Sequence, residues 1–166
     1  EGARYAGNVH QAVIMQLGER NEADISQAND FHGGTAAILQ VGEANKGLID
    51  QAGNQFTGYA LIRQFGVGND ALTIQRTFSN SGHTFAEILQ MGTRNTATQD
   101  SQVHPNGAGA FEGYITQIGT RNEADQRHRY GYGDRYGEIL QLGTANSASM
   151  SQGSSGDVVG NVQNAY

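Results

Sequence analysis

The chain has no cysteine, no tryptophan and one proline, Pro105, in 166 residues. Without cysteine there are no disulfides and no thiolate metal sites. Hydrophobic residues make up only 37% and glycine reaches 24 residues, so the apolar share falls short of an ordinary globular domain. One large hydrophobic core is hard to build from this, and stability has to come from something repeated. Cations are scarce too. Ten Lys and Arg against 16 Asp and Glu give a net charge of −6, which disfavours nucleic acid, whose binding rests on cation–phosphate contacts. No run approaches the roughly 18 apolar residues of a membrane span. The first residues carry no signal-peptide pattern, and Glu1 fits a chain whose leader has been removed.

What the chain has is one phrase in six copies, Ile-x-Gln-x-Gly-x-x-Asn. Its Ile positions are Ile14, Ile38, Ile62, Ile88, Ile115 and Ile139. The Gln positions are Gln16, Gln40, Gln64, Gln90, Gln117 and Gln141, separated by 24, 24, 26, 27 and 24 residues. Gly18, Gly42, Gly66, Gly92, Gly119 and Gly143 follow, then Asn21, Asn45, Asn69, Asn95, Asn122 and Asn146. A near-constant period of this length marks a repeat architecture.

With the Gln as position zero, even offsets share one face of a strand and odd offsets the other. Ala12, Ile14, Gln16 and Gly18 alternate up to a turn, and Ala23, Ile25 and Gln27 alternate after it. Offsets −4 and +7 hold only Ala or Gly in all six copies, which implies a narrow interior. The expected fold is all-β: a β-solenoid of six stacked strand–turn–strand repeats forming two facing, parallel, in-register sheets. Residues 1–9 form a lead-in. The repeats run over about 10–33, 34–57, 58–83, 84–110, 111–134 and 135–152, and 153–166 form a tail with a short strand expected over 158–163.

A buried amide without a partner costs about 1–3 kcal/mol, so six Gln and six Asn at fixed offsets would burden an isolated hairpin. Stacked about 4.8 Å apart, each amide bonds its copies above and below, as in cross-β ladders. The Ile fills the core. The Gly is expected to enter the turn with φ > 0 and to leave room for the facing strand. The Asn, which tolerates left-handed backbone, is expected at the turn's exit. A second Gln at +11 recurs as Gln27, Gln51, Gln75 and Gln152, but Ser101 and His128 replace it in repeats four and five, which should stack less well there. Both of those repeats carry a Gln two residues earlier, at Gln99 and Gln126. The longer spacings place insertions in the second turn, over 76–84 and 103–110, where added length costs little. On the outer face, Leu17, Val41, Phe65, Met91, Ile118 and Leu142 form an apolar column, a candidate lateral contact between filaments.

Chemistry-bearing patterns are thin. The five histidines, His10, His32, His83, His104 and His128, show no metal-ligand spacing. There is no nucleophile elbow and no phosphate-binding glycine loop. The chain is expected to be no enzyme and to hold no cofactor or metal. The Arg- and Tyr-rich stretch over 127–136 is read as an exposed turn.

Gln-x-Gly-x-x-Asn-x-Ala-x-x-x-Gln resembles the curlin repeat, the unit of curli functional amyloid in bacterial biofilms. Repeats one, three and six match throughout, as in Gln16-Gly18-Asn21-Ala23-Gln27. Repeat two departs at Gly47, and repeats four and five lack the final Gln. The Ser common in that family six residues before the first Gln is replaced by His10, Gly34, Gly58, Thr84, Phe111 and Arg135. The resemblance implies an extracellular, cell-surface fibre subunit of a Gram-negative-type bacterium, nearer the major subunit than the nucleator. It implies polymerisation with copies of itself, a role in biofilm matrix and adhesion, and as partners a nucleator subunit, a secretion channel and accessory chaperones. It also implies an N-terminal export segment, for which residues 1–9 are short. The alternative from the residues alone is a monomeric β-solenoid that binds ice, another flat surface or a protein ligand.

Overall fold

A computed structural model describes residues 10–29, 33–53, 57–77, 83–103, 110–129, 134–153 and 159–165. The expected lead-in over 1–9 and most of both insertions, at 78–82 and 104–109, lie outside the described residues. The strands in chain order are β1 (Gln11–Glu19), β2 (Glu22–Asn29), β3 (Thr35–Glu43), β4 (Lys46–Gly53), β5 (Thr57–Val67) and β6 (Asp70–Thr77). They continue as β7 (His83–Thr93), β8 (Thr96–Val103), β9 (Phe111–Thr120), β10 (Glu123–Arg129), β11 (Arg135–Thr144), β12 (Ser147–Gln152) and β13 (Val159–Ala165).

The odd-numbered strands form a seven-stranded sheet in the order β1-β3-β5-β7-β9-β11-β13, and the even-numbered strands form a six-stranded sheet in the order β2-β4-β6-β8-β10-β12. Every pairing is parallel. Parallel neighbours need a crossover connection. Here the crossover is the strand of the opposite sheet, so each repeat makes one rung of a β-solenoid. The expected two-sheet, in-register solenoid is the fold observed. The tail strand runs over Val159–Ala165 and joins the first sheet beside β11.

Register follows the repeated phrase. Ile14 pairs with Ile38, Gln16 with Gln40 and Gly18 with Gly42, and the same triplet recurs along the sheet. The longer spacings leave it intact, because the added residues fall between β6 and β7 and between β8 and β9. Strict alternation of buried and accessible residues puts even offsets inside in the first arm, as in β3, and odd offsets inside in the second, as in β4. The core is a thin column of Ile38, Ile62, Ile88, Ile115 and Ile139 with Ala36, Ala60, Ala71, Ala97 and Ala124, and Ile49 and Met150 at its sides. Burying each Ile contributes about 1.5–3 kcal/mol.

The two long edges of the solenoid differ. At the turn edge, each Gly-x-x-Asn segment carries the chain from the first sheet to the second. At the loop edge, the interior offsets −6 and +11 meet and the connections vary in length.

Candidate functional site

The stacked amide columns and the two ends they leave open are the features built most consistently into the chain. In the first sheet, Gln16 Nε2 donates to Gln40 Oε1 at 2.8 Å, and the same bond links Gln40 to Gln64, Gln64 to Gln90, Gln90 to Gln117 and Gln117 to Gln141 at 2.8–2.9 Å. From Gln40 on, each Nε2 uses its second hydrogen on the opposite sheet, as Gln40 does on the Glu22 carbonyl at 2.8 Å and Gln141 on the Glu123 carbonyl at 2.8 Å. The Gln column therefore ties rung to rung and sheet to sheet.

The Asn column runs the other way. Asn45 Nδ2 donates to Asn21 Oδ1 at 3.1 Å, Asn69 to Asn45 and Asn95 to Asn69 at 3.0 Å, and Asn146 to Asn122 at 3.0 Å. Each Oδ1 also accepts the backbone N–H of the following Asn, as Asn69 Oδ1 does from Asn95 at 3.1 Å. The other Nδ2 hydrogen reaches the carbonyl of the next rung's glycine, as Asn69 does to Gly92 at 3.1 Å. Within the columns, each Gln donates to the Gln of the following rung and each Asn to the Asn of the preceding one, while the Asn's other hydrogen goes forward to a glycine carbonyl.

Two expectations about the turn need correction. The left-handed residue is not the Asn but the one before it: Arg20, Ala44, Gly68, Arg94, Arg121 and Ala145, with φ between 53° and 65°. The Asn is held instead by its side-chain bonds. The glycines do carry positive φ, 107° to 131° across the six. What they make room for is the next rung rather than the facing strand. A Cβ at Gly18, Gly42, Gly66, Gly92 or Gly119 would stand 1.9–2.0 Å from the following glycine's carbonyl oxygen. That is the carbonyl the Asn side chain holds.

At the loop edge the second Gln column runs from Gln27 to Gln51 at 2.8 Å and on to Gln75 at 2.7 Å. It then moves two residues inward, where Gln99 donates to Gln126 at 2.9 Å and Gln126 reaches Met150 Sδ at 3.6 Å. Backbone pairing continues in register across this shift. The side chains fit less well: Thr73 Oγ1, Gln99 Oε1 and Ser101 Oγ are buried with no hydrogen-bond partner among the described residues.

The Arg- and Tyr-rich stretch is not simply an exposed turn. Residues 130–133 lie outside the described residues, but His128 ends on the inside of β10 and Arg135 on the inside of β11, both buried. Parity is the reason, since offsets +11 and −6 differ by an odd number and lie on opposite arms of the rung, each facing in. His128 packs on Phe111 with ring centroids 3.8 Å apart. Burial lowers its pKa to about 3; the nearby Gln152 side chain opposes this and the Arg135 charge adds to it. Burial also lowers the Arg135 pKa.

Outside, Leu17, Met91, Ile118 and Leu142 are exposed and Val41 and Phe65 half-buried, so the apolar column stands on the surface of the first sheet. Beside it runs an aromatic file, with Tyr59 and Phe85 stacked at 4.9 Å, Phe85 and Tyr114 at 5.3 Å, and Tyr114 and Tyr136 at 5.7 Å. Only the first pair is near parallel, at 11°; the other two are tilted by 37° and 41°. Ion pairs join neighbouring rungs as well, among them Arg20 with Glu43, Arg63 with Glu87, and Arg76 with Asp50.

The ends break the pattern. Ile14, whose copies are buried, is 46% exposed, and the whole of β1 is exposed, Leu17 to 67%. Among the described residues, β1 and β2 at one end and β13 and β12 at the other each lack a strand neighbour on one side. No group of three or more His, Cys, Asp and Glu among the described residues is placed to hold a metal ion, and no helix is long and apolar enough to cross a membrane. Comparison with protein-family models, curated proteins and solved structures finds no match.

Proposed function

We propose that the chain is the structural subunit of a fibre that grows by end-to-end stacking, a curlin-like functional amyloid. The observation that carries this reading is the complementarity of the two ends. The N-terminal end offers the acceptor Gln16 Oε1 and the amide of Asn21, and the C-terminal end continues the same columns with the donor Gln141 Nε2 and the acceptor Asn146 Oδ1. A second copy set on β11 and β12 in the common register, in place of β13, puts Ile14 over Ile139, Gln16 over Gln141, Gly18 over Gly143 and Asn21 over Asn146. Each amide then finds the partner its copies have inside the chain, and the exposed Ile14 is covered. Monomeric proteins blunt bare strand edges; β1 and β2 carry neither proline nor bulge.

The repeat resemblance extends the proposal to an extracellular, cell-surface fibre in biofilm matrix and adhesion, with a nucleator subunit, a secretion channel and accessory chaperones as partners. Ageing the purified chain, followed by negative-stain microscopy and fibre diffraction, tests the core of it. Unbranched filaments with a meridional reflection near about 4.8 Å are expected. A chain that stays monomeric in sizing chromatography would overturn the reading and favour a solitary binding module.

A further inference from the structure

The two ends match in side-chain chemistry but not in strand count. The first sheet has seven strands and the second six, because β13 adds to β11 with no counterpart beside β12. A second copy placed directly on β13 would set its β1 one strand too far out. Its β2 would then stand two rungs from β12, leaving a one-strand gap in the second sheet.

β13 also departs from the frame at the positions that carry stacking. Its register sets Gln163 beside Gln141, but Asn161 beside Ile139 and Ala165 beside Gly143. In five described strands of the same sheet, a Cβ at the glycine position would lie 1.9–2.0 Å from the carbonyl oxygen of the strand that follows. No real Cβ contact is that short, and the obstructing atom is backbone. The sequence of β13 places alanine, not glycine, at that register position.

We propose that β13 is a removable cover over the docking surface for a second copy, so that each junction forms only when β13 leaves β11 and the incoming β1 takes its place. This rests on the end-to-end reading above. The exchange replaces a seven-residue strand with the nine-residue β1, and it restores Ile over Ile and Gly over Gly. Because β2 arrives with β1, the second sheet extends at the same step and the strand counts match. Strand-for-strand replacement of this kind is known physics for open sheet edges. The cover makes opening, rather than encounter, the slow step of growth.

The absence of cysteine gives a clean test. Leu140 and Val162 are register partners on β11 and β13. A full-length L140C/V162C variant, oxidised, ties the cover down, and reduction frees it. Seeded elongation, followed by thioflavin fluorescence and microscopy, is expected to be at least ten-fold slower when oxidised and to recover on reduction. A second variant, ending at Gly153, lacks the cover and is expected to elongate at least three-fold faster than the full chain with a shorter lag. Equal rates for the oxidised and reduced forms, or a truncated chain no faster than the full one, would overturn the cover while leaving fibres in place. No fibres from any form, reduced and truncated included, would sink the end-to-end reading itself and the cover with it.

Discussion

The turn edge and the loop edge enclose the same core and obey different rules. At the turn edge, six copies carry the same Gly and Asn, the backbone there repeats its left-handed residue, and the side-chain amides bond rung to rung. At the loop edge, offset −6 accepts His10, Gly34, Gly58, Thr84, Phe111 and Arg135, and the amide column steps sideways after Gln75. The difference is one of clearance. At the turn, backbone meets backbone and nothing can yield. At the loop, side-chain tips meet and can rearrange. Sequence variation collects where the contacts are soft.

Matched substitutions at the two edges should separate them most widely. Gly66→Ala drives a Cβ into the Gly92 carbonyl at 1.9 Å, at a φ of +126°, and is expected to cost about 3–5 kcal/mol. Gly58→Ala meets only the side-chain tips of Gln75, Gln51 and Thr84 at 3.1–3.2 Å and is expected to cost about 1 kcal/mol or less. Denaturant midpoints of freshly prepared chain measure both, and equal losses would erase the proposed contrast.

Amide deletions come next in size. Asn69→Ala removes two acceptor contacts to Asn95 and the donor contacts to Asn45 and Gly92, all in a buried site, for an expected loss of about 3 kcal/mol. Gln75→Ala removes an acceptor for Gln51 and a donor to the Tyr59 carbonyl, for about 1–2 kcal/mol. The same midpoints rank the pair; a larger loss at Gln75 would reverse the assignment of rigid and soft edges.

The smallest effect is a pH dependence confined to the loop edge. His128 titrates near 6.5 when unfolded and near 3 when folded, so unfolding is favoured by proton uptake. Its share of stability is complete above pH 6.5 and drains as pH falls toward 3, by about 1–2 kcal/mol between pH 7 and pH 5. His128→Gln should flatten that part of the slope. Midpoints at pH 7 and pH 5 that change equally in both proteins would remove His128 as its source.

Parity and period were enough to place most of this molecule from its residues. The invariant Ile, Gln, Gly and Asn set the register of the first sheet, and small residues at −4 and +7 set its thinness. Local conformation was less legible. Arg20, Ala44, Arg94, Arg121 and Ala145 share no side-chain chemistry, yet each takes the left-handed turn position, because the bonds of the neighbouring Asn hold the backbone there. His128 and Arg135 were hidden by their polar, aromatic-rich neighbourhood, although offset +11 in the second arm and −6 in the first are both interior positions. The inward step of the second column was legible only as Gln99 and Gln126 standing two residues early; that they bond each other depends on the stack.

One further consequence belongs to the nearest-neighbour register. Each strand touches only the strands beside it and the adjoining arms of its own and the next rung. Nothing in the chain therefore measures its total length. Excising residues 58–83 would bring β3 against β7 and β4 against β8, with Gln40 meeting Gln90 and Asn45 meeting Asn95 in the usual frame. The cross-section is fixed by chemistry, whereas the number of rungs is free to drift by whole units, and a gene built this way can lengthen or shorten its product without redesigning it.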